Sequence, residues 1–75
     1  MRVRMVKEAG PVPLSKKQLH ILAERASGWS NSEVAARLEL PRYEVDDMLD
    51  EARRIVGATH TPHVVAHAFR EGWLA

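Results

Sequence analysis

The stretch Gly28-Trp29-Ser30-Asn31-Ser32-Glu33-Val34-Ala35-Ala36-Arg37-Leu38 decides how this chain folds. Ser30 and Glu33 stand three apart as a capping box, Trp29 and Val34 are placed for a hydrophobic staple, and Val34, Ala35 and Leu38 share one helical face. A short helix over 31–38 follows. Just upstream, Ser15 and Gln18 repeat the capping box, Leu14 and Leu19 repeat the staple, and Gly28 supplies a C′ glycine, so an earlier helix spans about 16–27. A connection as short as Gly28-Trp29-Ser30 forces the two helices to cross steeply.

Downstream, Pro41 occupies a cap or first helical position, and Val45, Met48, Leu49, Ala52, Ile55 and Val56 recur at spacings of three and four up to Gly57. This predicts a third helix over about 42–56. Thr61 as N-cap with Pro62 at the first helical position starts a fourth, whose stripe is Val64, Val65, Ala68 and Phe69 before Gly72. Trp73 and Leu74 are expected to fold back onto a core that includes Trp29, Val34, Leu38, Val45, Leu49 and Ile55. The fold class is therefore all-α: four helices over 14–75, preceded by a basic arm over 1–13. Within the arm, Arg2-Val3-Arg4-Met5-Val6 reads either as a short edge strand in need of a partner or as a frayed tail.

Composition narrows the class. Seventy-five residues with 45% hydrophobic and 28% charged residues suit one small soluble domain with a modest core. The absence of cysteine excludes a disulfide scaffold and any thiolate metal site. No apolar stretch is long enough for a membrane span, and the polar N-terminus does not read as a signal peptide, so a cytoplasmic location is expected. Four aromatics and four glycines offer little for a stacking platform or a phosphate-cradling loop, which argues against an enzyme. No cofactor is expected. His63 and His67 stand one helical turn apart with Glu71 continuing their stripe, but no converging ligand is evident and no metal site is assigned.

The order of these features resembles the LuxR/GerE-type DNA-binding domain. Leu14-Ser15-Lys16-Lys17-Gln18, Ile21-Leu22 and above all the run from Gly28 to Ala35 carry the likeness, with Val45, Gly57 and 66–74 at family spacing. The resemblance implies a helix-turn-helix made by the second and third helices, the third entering a major groove and the fourth pairing two copies as a homodimer. Double-stranded DNA would be the partner of a small transcriptional regulator. On that basis Lys16 and Lys17 are candidates for phosphate contact, as are Asn31 and Ser32 at a helix N-terminus. Arg42, Tyr43 and Asp46 would face the groove, with Arg53 and Arg54 at the far end of the same helix, where they also suit the helix dipole and pairing with Asp50 or Glu51.

The chain departs from the family pattern in charge. Residues 39–56 hold three basic and six acidic residues, a net of −3, in the segment that would face DNA. Phosphate repels such a face unless other cations dominate. A second function class stays open: an interaction module on the same scaffold, in which Glu44, Asp46, Asp47, Asp50 and Glu51 bind a protein with a basic surface.

Overall fold

The computed structural model describes residues 2–6 and 10–75. Met1 and residues 7–9 of the basic arm lie outside the described residues. The fold is all-α: α1 (Lys16–Ala26), α2 (Asn31–Leu38), α3 (Arg42–Val56) and α4 (Thr61–Arg70). Both capping boxes form. Ser15 Oγ accepts the Gln18 N–H at 3.1 Å while Gln18 Oε1 accepts the Ser15 N–H at 2.8 Å. Ser30 and Glu33 do the same at 3.2 and 2.9 Å. These reciprocal bonds satisfy amide groups that a helix start leaves open, which is why α1 and α2 begin where they do.

The core gathers Leu19, Ile21 and Leu22 of α1, Val34 and Ala35 of α2, Val45, Leu49 and Ala52 of α3, and Val64 and Ala68 of α4. Trp73 and Leu74 fold back into it and are buried. Gln18 is the buried polar residue of this core, 4% exposed. Its Nε2 donates to the Met48 carbonyl at 3.3 Å and to Glu51 Oε1 at 3.1 Å, so the cap of α1 also fastens α1 to α3. A side-chain amide without these partners would be unfavourable at that depth.

Several expectations need correction. Ile55 is 43% exposed and Phe69 is 39% exposed, while Trp29 and Leu38 are half-buried at the edge of the core. Ile55 and Phe69 fall outside because an apolar stripe on α3 and α4 is wider than the strip the neighbouring helices cover. Trp29 instead lies against Arg37, whose guanidinium carbon stands 4.2 Å from the ring centre, a cation–π arrangement. The N-cap of α4 is His60, not Thr61; Thr61 is the first helical residue and its Oγ1 accepts from Arg53 Nη1 at 3.1 Å. Pro41 caps α3 without a side-chain bond. Arg25 is half-buried on α1, where its Nη1 donates to the Trp29 carbonyl at 3.0 Å.

The described part of the arm is not a frayed tail. Arg4 N–H donates to the Ala75 oxygen and Ala75 N–H to the Arg4 carbonyl, both at 2.9 Å, around an antiparallel bridge between Met5 and Leu74. Val6 N–H reaches the Trp73 carbonyl at 2.9 Å. Val3 is buried, and its N–H donates to Ser27 Oγ at 2.9 Å. The two ends of the chain thus pair by backbone bonds and close over the core, in a single bridge rather than a strand.

Candidate nucleic-acid interface

The surface to test is built where α2 and α3 meet. Residues 39–41 connect the two helices, and Glu39 takes φ 56°, the left-handed conformation that ends α2 within so short a turn. The reversal sets the start of α3 beside the start of α2, so Arg42 and Asp46 face Asn31 and Ser32. Asp46 Oδ1 accepts Asn31 Nδ2 at 2.9 Å and Arg42 Nε at 3.1 Å. Arg42 Nη1 also donates to Ser32 Oγ. The Arg42 guanidinium, and after it the Asn31 amide, hold the Asp46 carboxyl below its ordinary value, because both donors favour the charged form. Asn31 Oδ1 is left buried without a partner. Four of the residues singled out in the sequence therefore form one network.

Two of the remaining carboxylates of α3 are balanced by cations within the chain, and a third is held by a neutral amide. Glu44 meets Lys17 of α1 at 3.4 Å, Asp50 pairs with Arg53, and Glu51 accepts from Gln18. Such exposed pairs add little stability individually, yet they lower the field that α3 projects outward. Asp47 has no ion pair or hydrogen bond among the described residues. Along the outward face of α3, Tyr43, Asp47, Asp50 and Arg54 recur at helical spacing. Tyr43 is 68% exposed and Arg54 is exposed. The row extends about 16 Å along the helix at 1.5 Å per residue, a span suited to several base pairs of a groove.

The structure sorts the predicted cations into two kinds. Lys17, Arg42 and Arg53 are engaged in pairs, whereas Lys16 and Arg54 are exposed and have no partner among the described residues. Arg53 serves the fold, tying α3 to Thr61 of α4. The buried Gln18 was missed as a support beneath this surface; its capping-box spacing was legible, but its reach to Glu51 depends on how α1 packs on α3. Comparison with family models, curated proteins and solved structures returns no match. No helix among the described residues is long and apolar enough to cross a membrane. Chemically, the row can accept from a cytosine amino group through Asp47 or Asp50, donate to guanine through Arg54, and offer the Tyr43 ring and hydroxyl. No group of three histidine, aspartate or glutamate side chains converges among the described residues.

Proposed function

We propose that this chain is a small helix-turn-helix DNA-binding regulator of the LuxR/GerE type, working in the cytoplasm and pairing through α4. The observation that carries this reading is the outward row Tyr43, Asp47, Asp50 and Arg54 on α3, in which Arg53 balances Asp50, beside the flanking carboxylates Glu44 and Asp46 that Lys17 and Arg42 balance. Internal balance lowers the repulsion that the raw charge of the segment implies, leaving Asp47 and Glu51 as the carboxylates of α3 without a cation partner among the described residues. Lys16 and the basic residues of the arm supply phosphate contact, and the row supplies base contact.

The test is fluorescence anisotropy of labelled duplexes, including promoter fragments from the source genome, over a salt series starting at about 50 mM, where phosphate attraction is strongest. The expected result is saturable binding that weakens with salt and is reduced by Arg54→Ala. Absence of binding at the lowest salt overturns the reading.

One observation favours a second reading. Lys17 and Arg42, two of the cations that would meet phosphate, are engaged with Glu44 and Asp46. The second reading makes α3 a docking face for a basic protein through Glu44, Asp46, Asp47, Asp50 and Glu51. Replacing Asp46 and Asp47 by Lys separates the two: partner capture is abolished under the second reading, while DNA affinity rises under the first.

A further inference from the structure

A groove of about 810 Å³ lies away from α3, between residues 2–5, the second half of α1 and the end of α2. It falls in the size range of small-ligand sites. Arg2, Arg4, Arg37, His20, Glu24 and Trp29 supply its polar and aromatic lining, and Glu24 is its carboxylate among the described residues. Three arginines against one glutamate give +2 with neutral histidine, more than the net +1 of the entire chain. Positive charge therefore gathers at this groove, which no residue of α3 lines.

The groove is built rather than incidental. Arg37 is fixed by Glu24 at 3.3 Å and by the Trp29 ring. Glu24 is also 3.9 Å from His20 Nε2, so the one carboxylate is already committed to this wall. On the opposite wall the backbone of Arg2 and Arg4 is held by its neighbours: Val3 N–H on Ser27 Oγ, and Arg4 paired in both directions with Ala75. In extended chain, residues two apart send side chains to the same side about 7 Å apart. With Val3 buried, Arg2 and Arg4 lie together on the exposed side of the segment, and both line the groove that Arg37 also lines. Guanidinium groups present several N–H donors in a plane that matches phosphate oxygens.

We infer that this groove is an oxyanion site that takes a phosphate-bearing ligand, bound between the Arg2 and Arg4 forks on one side and Arg37 on Trp29 on the other. The inference does not rest on the DNA-reading role of α3, since no α3 residue lines the groove. Phosphate can arrive as a free phosphorylated compound or as the backbone of a nucleic acid, and the groove chemistry is the same for both.

The test is a two-dimensional amide spectrum of the full chain titrated with inorganic pyrophosphate at constant ionic strength. The expected result is saturable shifts confined to Val3, Arg4, Ser27, Trp29 and Arg37, with a dissociation constant of about 1 mM or tighter. The double variant Arg2→Gln with Arg4→Gln should weaken binding at least about tenfold while leaving the melting temperature in place, because only side-chain charge is removed. A duplex added to the pyrophosphate complex then identifies the source. Displacement assigns the groove to nucleic-acid backbone; retention of pyrophosphate assigns it to a free phosphorylated compound. The inference is overturned if no saturable shift occurs, if sodium chloride alone produces the same shifts, or if the double variant binds equally well. Shifts at Tyr43 and Asp47 on adding duplex alone would report α3 separately, so the base-reading row of α3 and the groove can each fail without the other.

Discussion

Under the proposed DNA-reading role, Asp46→Ala should strengthen binding by releasing a cation. Asp46 Oδ1 is the shared acceptor of Arg42 Nε and Asn31 Nδ2. Without it Arg42 keeps only its contact with Ser32 Oγ and can turn toward a phosphate. The change takes α3 from three basic and five acidic residues to three and four. Each added phosphate contact steepens the salt dependence of log K by about 0.9, which at about 0.1 M salt is roughly an eightfold gain in affinity. Asp47→Ala is the control, because Asp47 has no ion pair to release. It removes a single exposed charge screened by salt, and should change affinity by about twofold or less with no change in slope. Anisotropy titrations of both variants between about 50 and 200 mM salt make the comparison, with circular dichroism to verify that the loss of the Asn31 acceptor leaves the helices intact. Equal slopes for the two variants would refute the claim that Arg42 is held in reserve by Asp46.

Other expectations concern the scaffold that presents the site. Gln18→Ala removes bonds to Ser15, Met48 and Glu51 from a buried position, and chemical denaturation should show a loss of about 2–3 kcal/mol. Leu74→Ala cuts a buried side chain where the two ends of the chain pair, and should destabilise by about 2–4 kcal/mol in the same assay. Glu39→Gly relieves a left-handed non-glycine residue worth about 1–2 kcal/mol, offset by glycine's greater flexibility, so thermal melts should show a net gain of up to about 1 kcal/mol. In Glu33, the Ser30 backbone bond and then its hydroxyl lower the carboxyl from its ordinary 4.5, with Arg37 assisting. A depressed folded pKa means stability that is complete above 4.5 and is lost as pH falls through the folded value. Ser30→Ala should return the Glu33 titration toward 4.5 by NMR, and its stability gap from the parent should narrow on acidification.

The sequence by itself determined the four helices, because the information that starts and stops them is local. Ser15 with Gln18 and Ser30 with Glu33 close their boxes within one turn, Gly57 ends α3 in the left-handed conformation, and the spacing of Val45, Leu49 and Ala52 selects the buried face. Partners three or four residues apart meet in any helix, so their identities suffice. Trp73 and Leu74 were legible as core because little else in so small a chain could contribute their area.

Tertiary structure decided the rest, and for a common reason: these contacts join residues distant in sequence, through backbone atoms or long side chains that carry no pattern. Nothing in Arg2-Val3-Arg4-Met5-Val6 names residues 73–75 as its partner, since backbone donors and acceptors are the same in every residue. The occupation of Lys17 by Glu44 and of Arg42 by Asp46 and Ser32 depends on helix crossing, so residue counts gave the charge of α3 but not which charges are free. The groove bearing Arg2, Arg4 and Arg37 likewise exists only because the chain ends pair and bring the 2–5 segment against α1 and α2. Ile55 shows the limit from the opposite side: its spacing marked it as core, and the packing of α1, α2 and α4 around α3 left it in solvent.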